Sequence, residues 1–232
     1  MNQYPLVYLD HVQKVYGKHI ALYDVSVNIQ PGRIIGLLGP NGSGKTTIIK
    51  LVNGLLQPTS GNVYIHGEVP SAKTKQVVSY LPDTTYLDEN MKISETLRFF
   101  QEDFNVQRAY QLLNDLHLHP EQKLKQLSKG NKEKVQLILV MSREADLYIL
   151  DEPIGGVDPA ARDYILRTII QNRRPNSSVL ISTHLIADVE QVLDEALFIN
   201  QGRILLHENT TVLRNQYGKS IDEIFREQFR MY

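Results

Sequence analysis

The sequence predicts an α/β fold, a mostly parallel sheet with helices on both faces and a helical insert. Three observations predict it. From residue 146 onward strand-like and helix-like patterns alternate, as a parallel sheet requires when each crossover is a helix. Between residues 86 and 145 strand signals vanish and apolar residues recur at helical spacing. A glycine-rich run, Gly39-Pro40-Asn41-Gly42-Ser43-Gly44-Lys45-Thr46-Thr47, joins an apolar strand-like run, Ile34-Ile35-Gly36-Leu37-Leu38, to a helix-like one.

In chain order, residues 6–38 are strand-rich. Leu6-Val7-Tyr8-Leu9 and Val25-Ser26-Val27-Asn28-Ile29 carry β-branched or alternating patterns, and Gln30-Pro31-Gly32-Arg33 is a turn. A helix is expected over about 44–55. Pro58-Thr59-Ser60-Gly61 turns the chain into a strand at 62–66, and another strand follows at 77–81. Helices near 93–103, 106–117 and 131–144 make up the insert. Then come strand 146–151, helix 159–172, strand 178–182, helix 185–192, and strands 195–200 and 203–207. Asp158-Pro159 is a standard helix start, an N-cap followed by Pro at the first position. In the tail, Ser220-Ile221-Asp222-Glu223 is a capping box, and Ile221, Ile224, Phe225 and Phe229 share one stripe. A terminal helix docked on its own domain is the favoured reading, and a partner contact is the alternative. Without an internal repeat, low-complexity tract or linker, residues 1–232 read as a single domain.

Composition narrows the function. A chain of 232 residues buries a substantial core. Its net charge of -1 and pI near 6.7 supply no global basic field to recruit nucleic acid or an anionic membrane. The absence of cysteine excludes disulfides and thiolate metal sites and fits a reducing compartment. Met1-Asn2-Gln3-Tyr4-Pro5 is polar and carries no signal pattern. Apolar runs such as Leu137-Ile138-Leu139-Val140-Met141 fall far short of the ~20 residues a spanning helix needs. If the protein works at a membrane, another chain must cross it.

The chemistry starts at residues 39–47, which fit G-x-x-x-x-G-K-[ST] in the strand–loop–helix context that this motif requires. Glycines let the backbone wrap closely and aim successive N–H groups at a polyphosphate. The helix that follows adds its partly positive N-terminus. Lys45 supplies a point charge for the outer phosphates, and the Thr46 hydroxyl can ligate Mg²⁺. Further on, Asp146-Leu147-Tyr148-Ile149-Leu150-Asp151-Glu152 is an apolar strand ending in two carboxylates. The first can hold Mg²⁺ beside a phosphate loop, and the second can reach an attacking water as general base. A guanine-specific switch protein would carry Asn-Lys-x-Asp. Asn131-Lys132-Glu133-Lys134 lacks the Asp. His117 and His119 have no cysteine or carboxylate cluster around them and read as surface histidines.

Leu127-Ser128-Lys129-Gly130-Asn131 sits just before the helix at 131–144, about 20 residues ahead of Asp151. Alone it reads as a helix-capping turn. Together with residues 39–47, Asp151-Glu152 and His184, it resembles the signature of the ATP-binding subunit of ABC transporters. The motifs run in order over nearly the whole chain, from Leu6 to about Leu206. The resemblance implies a RecA-like P-loop NTPase core with an N-terminal antiparallel β subdomain and a helical subdomain at about 86–145. It further implies that two ATPase subunits, identical or paralogous, close head-to-tail over two ATP molecules. Ser128 and the Gly130 backbone would then contact the γ-phosphate held by the other subunit. Tyr16 falls where a ring stacks on adenine; by itself it reads as a strand aromatic packed in the sheet. The run ending in Asp158, Gly155-Gly156-Val157-Asp158, matches the loop that reaches the partner's site, a role compatible with the helix start. Glu152 would activate water, Thr46 and Asp151 would hold Mg²⁺, and Lys45 and His184 would stabilise the γ-phosphate.

Two positions depart from the family pattern. Lys129 and Asn131 replace Gly and Gln of LSGGQ, a mark shared with ATPases resembling the ABC-2 type exporters. Asp83 stands where the family has a Gln that ligates Mg²⁺ and links the site to the membrane subunit. When ionised, Asp accepts without donating and is one methylene shorter, yet Asp83 can still bind the metal, directly or through water, beside Thr46 and Asp151. The tail at 217–230 resembles the endings of short ABC-2 type ATPases. This implies export through a separate transmembrane permease, with the chain held peripherally at the cytoplasmic face of a bacterial cell membrane. Two rivals remain. A soluble family member acting on nucleic acid or ribosomes would join two such domains or carry a long coiled coil. A binding-only subunit is suggested by Lys129 and Asp83 and opposed by Lys45, Asp151, Glu152 and His184.

Overall fold

A computed structural model of the chain describes residues 4–102 and 104–230. Met1-Asn2-Gln3 of the polar opening and Asp103 at the end of the expected helix 93–103 lie outside the described residues. Two sheets form. The smaller is antiparallel, built from β1 (Val7–Tyr16), β2 (His19–Ile29) and β4 (Ser60–Ile65) in the order β2-β1-β4. The larger contains β3 (Ile34–Leu38), β5 (Val78–Leu81), β6 (Leu147–Asp151), β7 (Ser178–Thr183), β8 (Glu195–Asn200) and β9 (Arg203–Asn209). Its order is β5-β6-β7-β3-β8-β9, with only β9 running antiparallel.

Strand periodicity divides the core. Successive residues of a strand face opposite sides, so Leu147 and Ile149 of β6 join one buried cluster while Tyr148 and Leu150 join the other. The first cluster packs the small sheet and α1 (Lys45–Val52) on one face of the large sheet. The second packs the helices on the opposite face. Because both faces are covered, β3, β6 and β7 are buried at every position; β3 reads as an unbroken apolar run and β6 as one up to Asp151, whereas β7 also buries Ser178, Ser182 and Thr183. Between β5 and β6 run α2 (Ile93–Phe99), α3 (Val106–Asp115) and α4 (Lys129–Met141). After β6 come α5 (Pro159–Asn172), α6 (Ile186–Val189), α7 (Thr210–Tyr217) and α8 (Ile221–Arg230). Among the described residues no helix is long and apolar enough to cross a membrane.

Several elements differ from expectation. β1 and β2 extend well beyond residues 6–9 and 25–29, because bulges between Leu9 and Val12 and between Val12 and Lys14 break the alternation that would have revealed them. α4 begins two residues earlier than expected: Ser128 is its N-cap and its Oγ accepts from the Asn131 N–H at 3.3 Å, so Lys129, Gly130 and Asn131 form the first turn. α6 is a single turn rather than a helix over 185–192. α7 was not expected. Asn209 caps it by accepting from Thr211 N and Val212 N at 2.9 and 3.3 Å, and Gly218 ends it in the left-handed region. α8 docks on its own domain, as favoured. Ile221 and Ile224 are buried, and Phe225 meets Phe198 edge-on with centroids 5.4 Å apart.

Candidate functional site

Parallel strands deliver their carboxyl ends to one edge of a sheet, where loops build sites. Here β6, β7 and β3 are neighbours, and their register aligns Asp151 with Ser182 and Leu38 with Thr183. The residues immediately after these ends, Gly39, Glu152 and His184, are thus brought to one rim.

The 39–47 loop is shaped by glycine where no side chain fits. A Cβ at Gly39 would lie 2.3 Å from the Ile199 carbonyl. Gly44 combines φ of 111° with a Cβ position 2.8 Å from Leu22, so any other residue would be both strained and crowded. Gly44 is the N-cap of α1 and offers no side-chain acceptor, which leaves the first-turn amides of Lys45, Thr46 and Thr47 without an intrahelical partner. Lys45 is 7% exposed and its Nζ donates to the Gly39 and Pro40 carbonyls at 2.7 and 3.1 Å. Burial draws the Lys45 ammonium below the usual lysine range, against the opposing pull of Glu152 and Asp151. Ser43 is buried beneath the loop, whereas Pro40, Asn41 and Gly42 form its exposed crest.

Opposite the loop lie the carboxylates. Asp151 is 2% exposed and accepts from the Thr46 hydroxyl at 3.3 Å. Burial pushes its carboxyl up, and the charges of Asp83 and Glu152 push the same way. Glu152 adopts φ of 51°, an uncommon conformation for a non-glycine residue. Its Oε2 accepts from the Thr183 hydroxyl at 3.0 Å, and its Oε1 pairs with His184 Nδ1 at 2.9 Å. Tyr80, at the end of β5, has its phenol pushed up to about 12, by burial first and then by Asp151 and Asp83.

The loop and the carboxylates Asp151 and Glu152 line an open cavity of about 330 Å³. Asn41, Gly42, Gly44, Lys45, Thr46 and Thr47 form one wall, Asp83, Asp151 and Glu152 another, and Tyr16 with His19 and Ala21 the third. Tyr16 is 44% exposed at the end of β1, with Lys14 Nζ 5.2 Å from its ring centroid, so it is not packed inside the sheet. A second cavity of about 200 Å³ adjoins, sharing Asp83, Asp151 and Glu152 and adding His184, Gly155 and Lys129. Ser128, Gly130 and Asp158 line neither cavity, and Ser128 and Asp158 are exposed. The chain therefore does not bring its own Ser128 and Gly130 to its own phosphate loop, although Lys129 between them lines the adjoining cavity. Reading the sequence missed His19 and Ala21, whose strand was hidden by bulges, and the Thr183 hydroxyl, whose hold on Glu152 depends on strand register.

The cradle fits a polyphosphate: it offers unpaired helix amides, a buried ammonium and, at Gly39 and Gly44, no room for a side chain. Asp151, buried and under pressure from two other carboxylates, fits a cation partner. Among the described residues no group of three or more His, Asp or Glu side chains could hold a metal alone. A cation here would be completed by the Thr46 hydroxyl, phosphate oxygens and water, as Mg²⁺ prefers.

A phosphate loop facing two strand-end carboxylates defines a P-loop nucleotide-hydrolysing domain. The family model described as "ABC transporter" matches residues 22–155. The ABC-type transporter ATP-binding protein EcsA of Bacillus subtilis (strain 168) is 31% identical over 229 residues, covering 91% of this chain and 92% of that protein. The SkfA peptide export ATP-binding protein SkfE of the same organism is 31% identical over 209 residues, covering 86% of this chain and 87% of that protein. A solved structure described as the ATP-binding subunit of an ABC transporter superposes with a TM-score of 0.85 at 29% identity, covering 96% of this chain and 98% of the other. The chain belongs to the ABC transporter family, as an ATP-binding subunit whose ATP hydrolysis powers transport.

Proposed function

We propose that two copies of this chain, or this chain and a paralogue, close head-to-tail over two ATP molecules and drive a separate export permease. The observation that carries this reading is the position of Ser128 and Gly130. They stand at the exposed N-terminus of α4, away from the cavity of their own phosphate loop, where a second subunit's ATP can meet them. A Cβ at Gly130 would meet nothing within 4 Å, so this surface is open to an incoming group.

In each composite site the 39–47 amides and Lys45 hold the β- and γ-phosphates, and Tyr16 stacks on adenine. Thr46 and Asp151 hold Mg²⁺, with Asp83 near enough to contribute, and the bound ion would neutralise charge on the phosphate oxygens. Glu152, held in place by Thr183 and His184, accepts a proton from water aligned on the γ-phosphate. His184, together with Ser128, Gly130 and the Asp158 loop of the second subunit, stabilises the γ-phosphate. Positioning and charge stabilisation carry most of the barrier reduction.

Coupling to the permease is assigned to the groove between β5 and α4. Tyr80, Tyr86, Phe100, Phe104 and Arg143 line it, and Phe99 beside it is 73% exposed. An aromatic-lined groove that also carries polar groups such as Ser79 and Arg143 suits a docking segment of a membrane subunit. Export is supported by the resemblance of residues 217–230 to the tails of ABC-2 type ATPases and by the peptide-export name of one relative. The protein then sits peripherally on the cytoplasmic face of the membrane.

The test is the solution mass of Glu152→Gln with and without Mg-ATP. A shift from 26.5 kDa to twice that mass supports a homodimeric sandwich. ATP binding without a mass shift assigns closure to a paralogue, and a mass shift that survives Lys45→Ala overturns the reading.

A further inference from the structure

The Glu152 carboxylate lies on a closed circuit of bonds that returns to its own backbone. From the Glu152 carbonyl, which accepts from Gly155 N at 2.9 Å, the chain runs through the 155–158 loop to the Val157 carbonyl. That carbonyl accepts from Arg162 Nε at 3.2 Å, and the same guanidinium donates through NH1 to Asp188 Oδ2 at 2.8 Å. Asp188 lies on α6, whose preceding residue, Leu185, donates its N–H to the Thr183 hydroxyl at 3.0 Å. Thr183 in turn donates to Glu152 Oε2, and its neighbour His184 holds Oε1. Arg162 is the link between the two arms. It projects from the first turn of α5, and its side chain and that of Asp188 are each only partly exposed, so the pair is not simply a solvated surface contact.

We infer that Arg162 is a positioning residue that ties the 155–158 loop to the orientation of the Glu152 carboxylate through Asp188 and α6. This rests on the proposed head-to-tail closure. The loop is the part of the chain that meets the second subunit, and Arg162 passes a shift of the Val157 carbonyl to the residues that grip the water-activating group. A planar guanidinium suits the task because its Nε and NH1 donors are fixed in one fork and bond both acceptors at once. A lysine ammonium is a point charge on a flexible stem and lacks that fixed geometry.

The experiment compares wild type, Arg162→Ala, Arg162→Lys and Asp188→Asn by ATP titration of turnover, thermal unfolding, and NMR of the His184 imidazole assigned with His184→Ala. Arg162→Ala is expected to lower kcat by about ten- to a hundredfold, the loss that roughly 1 Å of misplacement produces. KM should stay within about twofold, since no ATP contact is removed. Arg162→Lys should recover the Tm but not kcat, and the nucleotide-free His184 resonance should move in it. A folded Arg162→Ala with wild-type kcat overturns the inference, as does an Arg162→Lys in which kcat and Tm recover together. If Arg162→Ala does not fold, Arg162→Lys and Asp188→Asn decide by the same criteria. Wild-type turnover insensitive to Glu152→Gln would instead show that the assigned role of Glu152 is wrong. The His184 resonance still judges the circuit in that case, because an unmoved signal in Arg162→Lys sinks it without reference to hydrolysis.

Discussion

His184 Nδ1 lies 2.9 Å from Glu152 Oε1, on the side of the carboxylate away from the Thr183 hydroxyl. The two residues are 32 apart in sequence and meet because β6 and β7 are adjacent and in register to their ends. A carboxylate gripped at both oxygens keeps one orientation, which is what proton acceptance from a single aligned water requires. The same grip makes the imidazole a second arm of the site.

Glu152→Gln keeps the size and can keep the Thr183 bond but removes the proposed base. Turnover should fall by about 10²- to 10⁴-fold while ATP binding persists. His184→Ala should also reduce kcat, with a smaller effect on nucleotide affinity, because Lys45 and the loop amides remain. Phosphate release and equilibrium nucleotide binding on the same preparations check both. A variant that loses binding along with turnover would mean that the Glu152–His184 pair is structural.

Asp151 should cost stability in the nucleotide-free protein. Burial raises its carboxyl above the ordinary aspartate range, so the ionised form is disfavoured in the fold relative to the unfolded chain. The penalty is complete above the raised value and shrinks as pH falls through it to the ordinary range, below which both states are protonated. Asp151→Asn should therefore unfold at higher temperature than wild type near neutral pH, with the gap closing toward acid. About 1 kcal/mol would appear as a Tm rise of about 2–4 °C in a domain of this size. Hydrolysis should be lost in the same variant. Thermal unfolding across pH measures the gap, and a gap that widens toward acid would contradict the assignment.

The phosphate loop and the strand-end carboxylates were legible because their chemistry is local. Residues 39–47 carry their own strand, turn and helix start, and Asp151-Glu152 end a run apolar enough to be buried on both faces. What escaped was set by distant pairing. His19 and Ala21 sit on a strand whose bulged register with β1 destroys simple alternation. The Thr183 and Arg162 contacts exist only once β6, β7, α5 and α6 are assembled. α7 escaped for a different reason: its Asn209 cap and Gly218 stop were present in the sequence, but its exposed, polar face gave a weak apolar period.

Asp83 contributes a carboxylate to both cavities and raises the proton affinity of Asp151 and Tyr80. Asp83→Gln removes that charge and adds a methylene and a donor. The Asp151 carboxyl should then titrate closer to its ordinary range, and basal turnover should need a higher Mg²⁺ concentration, since the site offers the cation one negative charge fewer. A titration of turnover against Mg²⁺ reads this directly. An unchanged midpoint would place Asp83 outside the cation's reach.

Lys129 opens α4, where the helix dipole disfavours a cation by about 0.3–1 kcal/mol. Its nearest carboxylate is Glu133, with Nζ 3.9 Å from Oε1, a loose pair in which Lys129 is 82% exposed and which contributes little. Burial raises the Glu133 carboxyl, and the Lys129 charge offsets this only in part. Lys129→Ala should accordingly leave the Tm within about 1 °C of wild type, because it removes an unfavourable dipole term and a weak pair together. In the proposed head-to-tail closure the same ammonium would approach the second subunit's phosphates. In a Glu152→Gln background, ATP-driven pairing should therefore weaken on Lys129→Ala and lose part of its salt dependence, since one exposed charge no longer contributes. Sedimentation at two ionic strengths separates the cases. Equal weakening at both would assign Lys129 a packing role, and no weakening at either would leave the Ser128 hydroxyl and the α4 amides to carry the trans contact by themselves.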